Sequence, residues 1–285
     1  MKTIMRVLLA LLVVGPLLAA CSSSPPTDAT QRKEQRELAP VDEKAQRDKA
    51  VATRIGAGME SLKANDAERA RRHISRALEL NPSSAEANNA MALYYRFEGD
   101  EKREEEQYRK ALRLDSKFSQ ARNNYAVLLY RQGRYEKAIE QLKTAAEDTN
   151  YDQRPMAFLN LGRSYAKIAD YDKAAAALQR SLRLDSQQAE PLLELADVYR
   201  IQGNYADAHS YLNAYLSRAR QSPRSLWVGI RIEQALGNMN NVSSYELQLD
   251  GMFKTSPEYT EWQAWKMGSP VPAQADMKSG KGVSK

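Results

Sequence analysis

The stretch SQARNNYAVLLYRQGRYEKAIEQLKTAAE, residues 119–147, reads as two helices with one turn between them. On either side of Gly133, apolar and small residues return every three or four positions, the spacing of one helix face. Gly133 interrupts the pattern where the chain must turn, because glycine takes the left-handed conformation that ends a helix at little cost. Tyr135 follows just beyond the turn. Ala126, Ala138 and Ala145 are small residues on the faces that the two helices would turn toward each other.

Moving outward from this unit, the same layout returns. Small residues recur at Gly58, Ala92, Ala126, Gly162 and Ala196, with spacings of 34, 34, 36 and 34. A second series runs Ala70, Ala138, Ala174 and Ala208, with Glu104 as its exception, and a third runs Ala77, Ala111, Ala145 and Ser181. Asn65, Gly99, Gly133, Gly203 and Gly237 mark turns. Tyrosines hold a register at Tyr95, Tyr165 and Tyr199, and again at Tyr135, Tyr171 and Tyr205. Period, small residues and turn glycines match the tetratricopeptide repeat. They predict an all-α, right-handed superhelical solenoid of six repeats over residues 51–267, with units beginning near Val51, Ala85, Ser119, Pro155, Ala189 and Pro223. The two-residue excess falls in Asp148 to Arg154, between the third and fourth units. The sixth unit departs from the pattern, with Ile230 and Val242 where small residues are expected, and reads as a cap. Beyond it, Glu258 to Met267 carries Trp262 and Trp265 and reads as a last helical turn packed on the end.

The first 50 residues have a different character. Lys2 and Arg6 precede an apolar stretch from Val7 to Leu18, followed by Ala19, Ala20 and the chain's only cysteine, Cys21. Those twelve residues rise about 18 Å as a helix, too short for a bilayer core of about 30 Å, so residues 1–20 read as a secretion signal. Leu18-Ala19-Ala20-Cys21 resembles the lipobox of bacterial lipoproteins, which implies cleavage before Cys21 and lipid on its thiol. Several acyl chains anchor far more firmly than one. Ser22 after the cysteine resembles the pattern sorted to the outer membrane. Residues 22–50, rich in Ser, Pro, Gln and mixed charge, read as a flexible tether, with Val41 to Lys49 a candidate helix against the first repeat. The Gly/Pro/Lys tail of residues 268–285 is expected to be disordered.

Charge and chemistry exclude several function classes. The net charge of +6 includes +2 from the leader and +2 from the tail, while residues 22–50 balance six against six, leaving the repeat region at only +2. A nucleic-acid surface needs a concentrated basic stripe, which this distribution does not supply. One cysteine excludes an internal disulfide, and His73 and His209 lie too far apart in sequence to suggest zinc. Gly56-Ala57-Gly58 sits inside a helix without a preceding strand, so it reads as close helix packing and not as a phosphate cradle. No cofactor, small-molecule substrate or catalytic group is expected.

A protein-binding surface is the better reading. In this repeat the first helix of each pair lines the concave side through its second, fifth, ninth and twelfth positions. In the first unit these are Ala52, Ile55, Met59 and Leu62, all apolar. The second unit places Glu86, Asn89, Leu93 and Arg96 there, and the third Gln120, Asn123, Val127 and Tyr130. An amphipathic partner helix fits such an apolar end. The alternative is that residues 41–50 of the chain itself cover Ile55, Met59 and Leu62. Asn89, Asn123, Asn124 and Asn160 are candidates to hydrogen-bond a partner's backbone.

Four stretches carry a closer resemblance: NNYAVLLYRQGRYEKAIEQLKTAAEDTNY (123–151), FLNLGRSYAK (158–167), SLWVGIRIEQ (225–234) and SSYELQLDGMFKTSPEYTEWQ (243–263). They resemble the middle, the atypical sixth repeat and the end of the type IV pilus biogenesis lipoprotein family, PilF or PilW. Members of that family act as pilotins, outer-membrane lipoproteins that bind the pilus secretin and promote its assembly into a pore. The resemblance implies lipidation at Cys21, a periplasm-facing outer-membrane location and the secretin as partner. It also implies that the family's hydrophobic groove falls on Ile55, Met59 and Leu62. Two features depart from the family: Ala126 stands where glycine is expected, and the Lys-rich tail has no counterpart. An adaptor for other envelope machinery, such as cell-wall hydrolases or outer-membrane protein assembly, is the alternative reading.

Overall fold

The computed structural model describes residues 28–268, with side chains from residue 42 onward. Helices alone make up its regular structure over those residues. They fall into two compact units that divide between Lys49 and Ala50. The expected signal segment, Cys21, residues 22–27 and residues 269–285 lie outside the described residues.

Helix α1 (Asp28–Lys63) begins well before the repeats. Of the expected tether of residues 22–50, with Val41 to Lys49 its candidate helix, residues 28–50 are helical and belong to α1. Low apolar content argues against burying a segment, but an exposed helix needs no core. Ala, Gln, Glu, Lys and Arg dominate here and no glycine interrupts them, which favours a solvated helix. Side chains 42–49 are all exposed, and Gln46 Nε2 donates to Asp42 Oδ2 one turn away at 2.9 Å.

From Val51 the helices pair. The end of α1 packs with α2 (Ala67–Leu80), and α3 (Ala85–Phe97) with α4 (Glu101–Leu114). Then come α5 (Ser119–Arg131) with α6 (Tyr135–Glu147), and α7 (Arg154–Lys167) with α8 (Tyr171–Leu184). The last pairs are α9 (Glu190–Ile201) with α10 (Tyr205–Leu216), and α11 (Pro223–Ala235) with α12 (Met239–Met252), followed by α13 (Pro257–Lys266). From α2 to α12 each helix packs on its neighbours in sequence, and α5, α7, α9, α11 and α13 also touch one another in series. The first helices of the pairs thus form an inner layer.

The turn inside each pair is made by one left-handed residue: Asn65, Gly99, Gly133, Gly203 and Gly237, at φ between 60° and 81°. Ala169 makes the same turn in the fourth unit at φ 58°, a conformation that crowds its Cβ. Asp66, Asp100 and Asp170 follow directly and cap the second helix, accepting from the amides of Arg69, Arg103 and Lys173.

Small residues bring the paired helices together. Sixteen residues after each small position lies a large, fully enclosed side chain: Ile74, Tyr108, Leu142, Leu178 and Leu212, each no more than 1% exposed. A Cβ on Gly162 would stand 2.6 Å from Leu178 Cγ. In the sixth pair this meeting point slips by one residue, and Gly229 faces Tyr245, where a Cβ would come within 2.8 Å. Ile230 is then free to be large. It is buried with Leu226, Trp227, Val242, Leu249 and Trp262. Helix α13 starts 34 residues after α11, so the cap is the first helix of an incomplete seventh unit. Trp227 and Trp265 meet edge-on at 5.6 Å, and Trp227 Nε1 donates to Glu261 Oε2 at 2.9 Å.

Candidate partner-binding surface

The inner layer carries the positions expected to meet a partner, and its chemistry changes along the solenoid. At the first unit Ala52 is exposed, while Ile55, Met59 and Leu62 are half-buried. These three pack against Ala70, Ile74, Ala90, Met91 and Tyr94 of α2 and α3. They therefore bind the first unit to the second and also leave part of their apolar surface open. Leu93 is half-buried one unit further on.

Asn89 and Asn123 are each 5% exposed. Asn124 Nδ2 donates to Asn89 Oδ1 at 3.1 Å, and Asn160 Nδ2 donates to Asn123 Oδ1 at 3.0 Å. The two bonds tie α3 to α5 and α5 to α7. The asparagine oxygens are thereby committed within the solenoid, as buried polar atoms require.

The lacing continues with charge. Glu194 on α9 accepts from Arg163 Nε of α7 at 2.6 Å and from both terminal nitrogens of Arg224 of α11, at 2.7 and 2.6 Å. Burial works to raise the pKa of this carboxyl, but the hydrogen bonds and charge of Arg224, with Arg163 beside it, hold it below the usual carboxylate value. Arg163 also pairs with Glu190 at 2.9 Å, and Arg200 with Asp197 at 2.6 Å. This charged inner face was legible in principle. Extending the second, fifth, ninth and twelfth positions into units four to six reaches Arg163, Glu190, Asp197, Arg200, Arg224 and Arg231. Glu194, at the sixth position, lies one residue off that register.

Glu104, the exception among the small residues, is fully buried on α4. Its Oε2 accepts from Arg131 at 2.6 Å, while Oε1 and the neighbouring Tyr108 hydroxyl have no hydrogen-bond partner. Burial outweighs Arg131 and raises the Glu104 pKa. The two histidines have separate settings. His209 Nδ1 lies 2.6 Å from Glu233 Oε1, and Asn213 Nδ2 lies 2.8 Å from His209 Nε2. Proton donation from Nδ1 to the carboxylate leaves Nε2 to accept from Asn213, an arrangement that ties α10 to α11. His73 is half-buried on α2. Among the described residues no group of three His, Cys, Asp or Glu is arranged to hold a metal, and no helix is long and apolar enough to cross a membrane.

Tetratricopeptide-repeat family models match residues 118–187, and residues 55–117 with 159–223. The type IV pilus assembly protein PilF of Pseudomonas aeruginosa is 36% identical over 220 residues, which cover 77% of this chain and 87% of that protein. A solved structure of Pseudomonas aeruginosa PilF superposes with a TM-score of 0.71, covering 77% of this chain and 99% of the other. A crystal structure of PilW, described as a widely conserved type IV pilus biogenesis factor, gives 0.67 at 29% identity, covering 73% of this chain and 96% of the other. The chain belongs to the tetratricopeptide-repeat family that includes PilF and PilW.

Proposed function

We propose that this protein serves type IV pilus biogenesis as a pilotin, a non-enzymatic lipoprotein that binds the pilus secretin and promotes its multimerisation in the outer membrane. The observation that carries the reading is 36% identity to PilF over 220 residues. Support also comes from the partly open apolar surface of Ala52, Ile55, Met59 and Leu62 on the first unit. An amphipathic secretin segment would bury its apolar face on them, extending toward Leu93. Asn89 and Asn123 act by holding the inner helices in register, with their remaining amide donors turned to the partner's backbone. Lipid on Cys21 anchors the chain to the outer membrane, facing the periplasm.

The test is co-purification of the secretin from membranes. Ala52→Glu is the clean variant, because Ala52 is exposed and lies outside the apolar clusters that hold Ile55, Met59 and Leu62. It should reduce secretin capture and secretin multimers without changing the circular dichroism spectrum. Met59→Lys should do the same more strongly, with some loss of first-unit stability. Undiminished capture by both variants removes the groove from this account. A Cys21→Ser variant should leave the outer-membrane fraction, and its retention there would refute the anchor.

A further inference from the structure

The second helices of the pairs lie outside the inner layer, and the first two of them gather positive charge. The repeat region sums to only +2, but its cations are unevenly placed. On α4 the buried residues are Glu104, Tyr108 and Ala111. Lys102, Glu106, Arg109 and Arg113 recur on the opposite face, and all four are exposed. Glu106 is the one acid among them. The other glutamates of this helix turn to the next unit: Glu101 and Glu104 to Arg131 at 3.5 and 2.6 Å, and Glu105 to Arg134 at 2.8 Å. Arg131 ends α5 and Arg134 stands at the start of α6. The solenoid thus draws the negative charge of α4 toward its neighbour and leaves the positive charge outside.

Helix α2 is arranged alike. Its buried residues are Ala70, Ile74 and Ala77, while Arg69, Arg72 and Arg76 stand on the far side, all exposed. Glu68 and Glu79 offset part of this charge, 3.6 Å from Arg72 and 2.7 Å from Arg76. Both α2 and α4 pack on α3. Beyond them the balance falls. Helix α6 carries Lys137 and Lys143 against three glutamates, and the only charged residues of α12 are Glu246 and Asp250. Helix α8 is basic again, with Lys173, Arg180 and Arg183 against Asp172, but α6 comes between it and the first two units.

The arrangement works against the helix that carries it, because Arg109 and Arg113, four residues apart, repel each other. A surface that costs helix stability and makes no contact inside the fold is suited to an anionic partner. Neither α2 nor α4 exposes a phenyl, phenol or indole ring on which a base could stack, which disfavours single-stranded nucleic acid. Two basic helices of 14 residues, each about 21 Å long, match instead a broad layer of like charges. A bilayer containing anionic lipid is such a layer, and it needs no pocket. Each Lys or Arg near its surface strengthens binding about fivefold.

We propose that the outer face of α2 and α4 rests on the headgroups of an anionic phospholipid surface. The choice of a membrane rests on the proposed anchor at Cys21, after which these are the first two units in the chain. The anchor holds the protein at the bilayer, and the basic face sets which side of the repeats turns toward it.

The test uses the full chain with Cys21→Ser, so that its outcome does not depend on acylation. This protein is sedimented at low salt with vesicles of phosphatidylglycerol mixed with phosphatidylcholine, and with vesicles of phosphatidylcholine alone. It should favour the mixed vesicles and lose that preference as salt is raised. Adding Lys102→Gln, Arg109→Gln and Arg113→Gln together should weaken binding to the mixed vesicles about a hundredfold, at about fivefold for each charge, with an unchanged circular dichroism spectrum. Lys137→Gln with Lys143→Gln, also exposed but on α6, should change it by less than about twofold. Equal binding with and without the three α4 substitutions would overturn the proposal. An equal loss from the α6 pair would do so too, since net charge alone would then be at work. Tighter binding to duplex DNA than to the mixed vesicles at matched phosphate concentration would assign the face to nucleic acid and overturn it as well.

Discussion

Glu104 and Glu194 are both glutamates buried inside the solenoid, and their surroundings treat them in opposite ways. Glu104 sits on a second helix, where the repeat elsewhere places alanine, and meets one arginine on one oxygen. Glu194 sits on the inner layer and is held from both sides by arginines of the preceding and following units. Burial raises the pKa of the first, and two guanidiniums overcome burial at the second to lower it. Depth alone therefore does not decide what a buried charge contributes. The number of its partners, and whether they come from different repeats, does. Glu194 bridges three units, as neighbouring repeats require if the array is to melt together. Glu104 has one partner, Arg131, which also reaches Glu101 at 3.5 Å.

The sharpest way to break this comparison is Glu194→Ala. It strands Arg163 and Arg224 together and should cost about 3 kcal/mol or more in urea unfolding, with hydrogen exchange rising first in α9 and α11. A loss below about 1 kcal/mol would mean that the bridge is only a surface pair. Between the two glutamates lies the fourth unit, whose helices meet at Gly162. Gly162→Ala should cost about 2 kcal/mol despite alanine's helix propensity, because its Cβ would lie 2.6 Å from Leu178 Cγ and 3.1 Å from the Ala174 carbonyl. If denaturant melts show no loss, α7 and α8 can move apart freely.

The pH response separates the glutamates by sign. Glu104, with its folded pKa above the ordinary 4.5, contributes most at low pH and loses that contribution as pH rises through the raised value. Glu194, with its folded pKa below 4.5, contributes fully above 4.5 and loses it as pH falls through the lowered value. Glu104→Gln should therefore change stability at pH 7 by less than about 1 kcal/mol and remove the small gain expected as the pH falls through the raised value. A Glu104→Gln variant that melts like Glu194→Ala would erase the distinction. The smallest effect is expected at Ala169, which holds a left-handed turn that its neighbours assign to glycine or asparagine. Ala169→Gly should stabilise by about 0.5–1 kcal/mol, read as a higher thermal midpoint.

Much of the repeat architecture was legible because it is local. A helix pair of 34 residues needs a small residue where the helices meet and a left-handed residue at the turn, and both appear in the one-dimensional pattern. The unit starts at Ala85, Ser119 and Pro223 coincide with helix starts. The turn at Ala169 was not marked, because alanine carries no turn signal of its own. The slip at Gly229 was hidden because Ile230 occupies the expected register. The helix over residues 28–40 was missed for another reason: composition reports whether a segment can be buried and says little of whether it coils in solvent.

By itself the sequence determined the fold class, the number of repeats, the turns other than that at Ala169 and the apolar character of the first unit's inner face, since each follows from spacing along one or two helices. Only the tertiary structure decided how the inner face is divided. It tied Asn89 and Asn123 to their neighbours, spent Glu194 on two arginines and set Arg231 over the Trp227 ring. Those assignments join residues about 30 apart on separate helices, and a hydrogen bond depends on distances and directions that no linear pattern records.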